Sequence, residues 1–211
     1  MPWFWIVAGP NGAGKSTLVD VGLTKALTGT PLVVLNADIL TRQLLADDPG
    51  LADANLKAAI ATDAAVAEAI QNNKDVLVET VLSSDKYVDD VATAKDRGFG
   101  IGMIYVGLVS SDLSLARVAL RVARGGHAVP SDRIHARWTR SIAMLGRYAP
   151  IVDRLFVFDN SRADGPRLIA MKADGRLSML EPGRIPEIDA VLTDSLTPRP
   201  TDAGSAEPTP P

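Results

Sequence analysis

The stretch Gly9-Pro10-Asn11-Gly12-Ala13-Gly14-Lys15-Ser16, followed by Thr17, constrains this chain more than any other. It fits G-x-x-x-x-G-K-[ST], and its setting suits the pattern. An apolar run from Trp3 to Ala8 leads in like a buried strand, and a helical stretch from Lys15 to about Leu27 leads out. Three glycines let the backbone curl until successive N–H groups point inward at phosphate oxygens. The helix N-terminus adds unsatisfied N–H groups and partial positive charge. Lys15 can then reach β- and γ-phosphates, and the Ser16 hydroxyl can ligate Mg²⁺. A plain glycine-rich turn at a strand–helix junction would explain the glycines but not Lys-Ser at the first helical turn.

At 211 residues the chain suits one domain, read as residues 1–195, with a disordered tail over 196–211. Hydrophobic content of 46% and charged content of 22% are those of a soluble globular protein. With no Cys, disulfides and thiolate metal sites are excluded. His127 and His135 alone do not make a zinc site. The apolar N-terminal run is too short to span a bilayer and no basic leader precedes it, so a cytoplasmic location is expected.

Beyond the first helix, Leu32 to Leu35 reads as a short strand ending in Asn36-Ala37-Asp38, with a helix over Ile39 to Leu45. A long alanine-rich helix, about Ala52 to Asn72, places Leu56, Ile60, Ala67 and Ile70 on one face. Asp75 to Glu79 is the next strand, and a helix from about Asp85 to Arg97 stops at Gly98. Ile101 to Val109 and Leu155 to Phe158 complete five strands; the last ends in Asp159-Asn160-Ser161. Leu168 to Met171 and Leu177 to Leu180 flank Ala173-Asp174-Gly175-Arg176 as a β-hairpin, and a short helix is expected near Pro186–Leu192. No internal repeat is found. Strand–helix alternation implies an α/β fold of the P-loop type: a parallel sheet of about five strands with helices on both faces. Ligands of such sheets collect at the carboxyl ends of the strands. Asp38, Glu79 and Asp159 all sit at such ends, on the rim of the phosphate loop. Each also has a plain reading: a helix cap for Asp38, a solvated strand end for Glu79, a turn former for Asp159.

Net charge is −3, which argues against general nucleic-acid binding, but the charge is unevenly spread. From Asp112 to Arg147 there are seven Arg, no Lys, and only two acids, Asp112 and Asp132. Two helices are expected there, about Asp112–Arg124 and Ser131–Tyr148, separated by Gly125-Gly126-His127-Ala128-Val129-Pro130. Arg117, Arg121 and Arg124 share one helix face, and Arg133, Arg137 and Arg140 repeat the spacing. Leu115, Val118, Ala119 and Val122 fill another face, suited to the core; Ile134, Trp138 and Leu145 do the same on the second helix. The segment, about residues 112–148, reads as a hinged lid whose guanidinium groups neutralise charge on a transferring phosphoryl group. A solvated Arg-rich helix pair is the alternative. The absence of Lys weighs against it, since Arg has the bidentate phosphate geometry.

These residues resemble those of the zeta-toxin family of P-loop kinases. The phosphate loop, Leu35-Asn36-Ala37-Asp38, Val78-Glu79-Thr80, the run from Ala116 to Gly125-Gly126-His127-Ala128-Val129-Pro130, Arg137-Trp138-Thr139-Arg140-Ser141 and Asp159-Asn160-Ser161 carry the resemblance over about residues 3–172. It is closest to the small, stand-alone zeta-like proteins. It implies an α/β kinase core with ATP as donor and Mg²⁺ as metal. Asp38 occupies the place of the base that activates the acceptor hydroxyl. Glu79, with Thr80, matches the acceptor- or metal-contacting strand end. Arg121 and Arg124 are the lid arginines expected on the triphosphate, and Asp159 with Asn160 lies toward the nucleotide. Characterised toxins of the family phosphorylate UDP-N-acetylglucosamine, a UDP-amino sugar, and some are held inactive by a small helical antitoxin. This chain departs from them in being short and in carrying Val81 where a second hydroxyl often follows Glu-Thr; nothing in its sequence calls for the antitoxin.

The expected activity is therefore ATP- and Mg²⁺-dependent phosphoryl transfer to a hydroxyl of a small acceptor. Three rivals stand beside it: a nucleoside, nucleotide or polynucleotide 5′-hydroxyl kinase, a nucleotide-switched binding module without acceptor, and nucleic-acid binding through the Arg face. The acidic total weighs against the last.

Overall fold

A computed structural model describes residues 1–20, 22–29, 32–126 and 129–196. The strand β1 (Trp3–Ala8) runs into the phosphate loop and the helices α1 (Lys15–Asp20) and α2 (Leu23–Thr28). Then come β2 (Val34–Leu35), α3 (Ala37–Asp47), α4 (Ala54–Gln71), β3 (Val76–Thr80), α5 (Val88–Asp96) and β4 (Gly100–Gly107). The helices α6 (Ser111–Ala123) and α7 (Ser131–Tyr148) lead to β5 (Arg154–Asp159). The hairpin β6 (Arg167–Ala173) and β7 (Arg176–Met179), then α8 (Pro186–Leu196), close the described chain. Strand order is β2-β3-β1-β4-β5-β6-β7. The first five are parallel, and the hairpin continues the same sheet antiparallel to β5. From β1 the chain moves to β2 and β3 on one side, then returns to β4 and β5 on the other. The phosphate loop thus stands at the point where strand order reverses, the site such sheets offer to a ligand.

Alternation along the strands divides the core into two faces. Phe4, Ile6 and Ala8 point to a large cluster covered by α4, α5, α7 and α8, through residues such as Val66, Val91, Leu145 and Ile188. Trp5 and Val7 point to a smaller one with Leu18 of α1, Ile104 and Phe158. The cover on this second face is partly aromatic. Trp3 stacks on Trp5 at 5.3 Å between ring centroids, and Trp5 on Phe156 at 6.4 Å. These rings lie flat because β4 has Gly100 and Gly102 beneath them; a Cβ at Gly102 would sit 2.3 Å from the Trp5 ring. Among the described residues no helix is long and apolar enough to cross a membrane.

Several boundaries differ from the sequence expectation. The helix expected from Lys15 to Leu27 is two helices, with Gly22 between them at φ 78°, a left-handed value that interrupts the α-helical ladder. On α4 only Ile70 of the expected face is buried; Leu56 and Ile60 are exposed. The face that packs is Ala54, Ala58, Thr62, Val66 and Ile70, one residue in four. An alanine-rich helix carries too little contrast in side-chain size for periodicity to show which small residues face inward. On α6, Val118 is buried but Ala119 and Val122 are exposed. The cause is that α6 lies partly over the phosphate loop instead of the core. Of the expected disordered tail, residues 197–211 lie outside the described residues, as do Val21, His127 and Ala128 of other expected features.

The aromatic cover gives a direct test. Gly102→Ala would drive a methyl into the Trp5 ring at the sheet centre, and should cost about 2–3 kcal/mol of stability in urea unfolding, an overpacking penalty. Gly50→Ala, whose Cβ would meet only the Asp48 carboxylate at 3.6 Å, should change stability by less than about 0.5 kcal/mol.

Candidate active site

The phosphate loop owes its path to close approaches that exclude side chains. Gly9 has φ 141° and passes so near β4 that a Cβ would lie 2.1 Å from the Val106 carbonyl oxygen. A Cβ on Gly12 (φ 73°) would lie 2.9 Å from the Ser114 carbonyl oxygen and 3.1 Å from Arg117 Cβ, and one on Gly14 (φ 91°) 2.6 Å from Asn160 Nδ2. Each glycine therefore meets a different element: β4, α6, and the segment after β5. The Ser114 hydroxyl donates to the Asn11 carbonyl, fixing α6 to the loop from outside. Asn160 Nδ2 donates to the Ala13 carbonyl at 2.8 Å.

Lys15 is 8% exposed, and its ammonium donates to the carbonyls of Gly9 at 2.8 Å and Pro10 at 3.1 Å. Burial lowers its pKa, with Arg121 adding to that; Glu79 and Asp38 oppose it by favouring the cation. Ser16 donates its hydroxyl to Glu79, 2.9 Å from Oε1 and 3.2 Å from Oε2. The sheet register sets this contact, since Glu79 pairs with Val7 and Thr80 with Ala8 immediately before the loop. Thr80 turns its hydroxyl to accept the Leu82 N–H at 3.1 Å and so shapes the exit from β3.

Asp38 stands in the first turn of α3 on the same side of the sheet edge, near enough to act on Lys15. It is not the helix cap. Asn36 is, accepting the N–H groups of Asp38 at 2.8 Å and Ile39 at 3.3 Å through Oδ1. The Asp38 carboxylate is thereby left exposed at the helix N-terminus, next to the loop.

The third rim acid is buried and paired. Asp159 is 4% exposed and has both oxygens engaged within the protein: Oδ1 by the N–H and hydroxyl of Ser161, Oδ2 by Arg184. Through these contacts it fixes the turn that carries Asn160 to the loop. The reason is solvation: so deeply buried a carboxylate needs a cation and hydrogen-bond donors, and these leave it no free oxygen.

The two arginines expected on the triphosphate are both exposed; Arg121 is near enough to Lys15 to help lower its pKa, and Arg124 is the C-cap of α6. Arg117, which shares their helix face but was not among the two expected on the triphosphate, is the one that packs by Gly12 and donates through Nη2 to the Ser161 carbonyl at 3.3 Å. Its place first in the i, i+4, i+7 series was the available signal. Ser114 and Arg184 gave none, one being a small residue inside a helix and the other a lone surface-type residue near the C-terminus. On α7, Ile134 and Leu145 are buried as expected, and Trp138 donates its indole N–H to the Leu108 carbonyl at 3.0 Å. That bond ties α7 to the end of β4.

The residues present fit a phosphate donor and a divalent cation. Three glycines leave a cradle that side chains would fill, a buried ammonium lies inside it, and a hydroxyl–carboxylate pair, Ser16 and Glu79, offers hard oxygen ligands beside it. A protein of Haemophilus influenzae, described as uncharacterized, is 29% identical over 130 residues, which is 62% of this chain and 88% of that protein. The AvrRxo1-ORF1:-ORF2 complex superposes with a TM-score of 0.69 at 15% identity over 91% of this chain. This chain spans 64% of the length of that neighbour. A structure of the same pair with ATP gives a TM-score of 0.65 at 16% identity, covering 97% of this chain and 66% of the other. The PezAT chromosomal toxin–antitoxin system of Streptococcus pneumoniae gives 0.58 at 15% identity, covering 94% and 88%. At such identities the likeness is one of fold. The family model for Zeta toxin matches residues 1–164, most of the chain, and the protein therefore belongs to the zeta-toxin family.

Proposed function

We propose that this protein is an ATP- and Mg²⁺-dependent kinase that transfers the γ-phosphoryl group to a hydroxyl of a small acceptor. One observation carries the reading: a buried Lys15 ammonium inside a glycine cradle, flanked by the Ser16–Glu79 pair and by the Asp38 carboxylate. Such an ammonium, resting on two backbone carbonyls, is a cation waiting for a stronger anion. Family membership and the ATP-bound neighbour point the same way.

In this reading the loop N–H groups and Lys15 hold the β- and γ-phosphates. Ser16 and Glu79 would hold Mg²⁺, which supplies charge neutralisation on the phosphate oxygens. Asp38 orients the acceptor hydroxyl and takes its proton as the new O–P bond forms and the bond from the γ-phosphorus to the bridging oxygen breaks, releasing ADP. A carboxylate is a weak base for an alcohol, so orientation is the greater part of its service. Arg121 and Arg117 lie where α6 covers the loop and would offset charge on the equatorial oxygens. Asn160 holds the loop from the other side. Residues 1–195 act as one kinase domain with a lid over about 112–148, working in the cytoplasm where ATP is supplied. UDP-N-acetylglucosamine is the acceptor to test first, on family grounds; the reading requires no antitoxin.

The decisive experiment is transfer of label from γ-labelled ATP into a metabolite extract, with the labelled product identified. Label in a hydroxyl-bearing product supports the kinase, while acceptor-independent phosphate release would replace it with a nucleotide-switched module. Lys15→Ala should abolish transfer, and chelation of Mg²⁺ should do so reversibly. Asp38→Ala should keep ATP binding within about twofold and lower turnover by ~10²–10⁴-fold, as expected for a lost acid–base group. Near-full turnover in that variant would remove Asp38 from the mechanism.

A further inference from the structure

Arg184 lies beyond the residues that the family model matches, between the hairpin and α8, yet it reaches the nucleotide side of the sheet. Its Nε and Nη2 stand 3.2 and 3.1 Å from Asp159 Oδ2. Three consecutive residues then lead outward from that pair. Asp159 Oδ1 accepts the Ser161 N–H at 2.9 Å and its hydroxyl. Asn160 donates its backbone N–H to the Gly107 carbonyl at 3.1 Å and its side-chain amide to Ala13 in the phosphate loop. Ser161 accepts the Val109 N–H at 2.8 Å on its hydroxyl and Arg117 Nη2 on its carbonyl, so it touches both the root and the inner face of α6.

The element carrying Arg184 is itself clamped. Ile185 and Ile188 occupy the space left by the missing side chain of Gly107, and Val191 packs where Gly146 of α7 has none. A segment held at β4 and at the second lid helix thus delivers one guanidinium to the buried carboxylate that sets the 159–161 turn. Removing that cation would leave Asp159 buried and uncompensated, and the carboxylate would have to move to regain solvent. Its movement would release Ser161 and Asn160 together.

We propose that Arg184 is a positioning residue for the nucleotide site: by holding Asp159 it sets Asn160 on the phosphate loop and Ser161 on Arg117, so that loop and lid helix are aligned before a ligand arrives. The ligand part of this inference rests on the kinase reading; the chain of contacts does not.

The test uses the full chain and two readouts. Backbone amide exchange at Ala13, Asn160 and Ser161 is followed by NMR without ligand, and the Kd for Mg·ATP is measured by calorimetry. In Arg184→Gln, exchange at these three amides should rise about tenfold while Phe4 to Val7 of β1 stay unchanged, and the Kd should rise by about tenfold, the scale of one lost hydrogen bond. Arg184→Lys should recover part of both. Should Arg184→Gln fail to fold, the double variant Asp159→Asn, Arg184→Gln leaves no buried charge unpaired and should show the same local loss. A purely stabilising pair would raise exchange uniformly across the sheet. Uniform exchange, or folded variants with exchange at the three amides and Kd both within about twofold of wild type, would overturn the proposal. If the unaltered protein does not bind Mg·ATP, the kinase reading falls, and the exchange pattern alone decides the role of Arg184.

Discussion

A cation taken out of water must be surrounded by oxygen, and the Lys15 ammonium is such a cation. Most of the site can be read as the means of supplying that oxygen without closing the way to a larger anion. The carbonyls of Gly9 and Pro10 come from the loop itself, which can curl so tightly only because its glycines pass neighbouring backbone at distances no Cβ could occupy. The carboxylates come from outside. The register of β1 on β3 brings Glu79 beside the start of the loop, and the Asn36 cap begins α3 so that Asp38 stands nearby. Strand pairing and helix capping, both local hydrogen-bond requirements, thereby position the charges that oppose the effect of burial on Lys15.

The sheet is covered unequally, and the inequality serves the same edge. One face carries α4, α5, α7 and α8 over a large aliphatic core, while the other relies on short helices and on indole and phenyl rings laid over glycines of β4. Toward the carboxyl ends, α6 crosses from the sheet onto the phosphate loop. Its exposed Ala119 and Val122 are a consequence, since the buried side of that helix is spent on Gly12 and the loop backbone. A helix that packs on a ligand loop cannot also bury a full apolar stripe.

The C-terminal elements, which resemble no motif, complete the arrangement. The hairpin extends the sheet past β5, and the chain returns through Arg184 to the buried Asp159 before α8 packs against α7. The helices α6, α7 and α8 and the 159–161 turn are therefore mechanically joined.

The sequence by itself determined the order of the elements, the phosphate loop and the identities of Lys15, Ser16, Asp38 and Glu79, because these depend on local rules: hydrophobic alternation, glycine at positive φ, and polar residues at the ends of apolar strands. It could not determine which face of the alanine-rich α4 is buried, that Asp159 would be buried against Arg184, or that Arg117 would be the arginine lying by the loop. Those outcomes depend on which distant element arrives at each position. Only the packed sheet decides them, because burial and charge pairing are set by neighbours in space, not by neighbours along the chain.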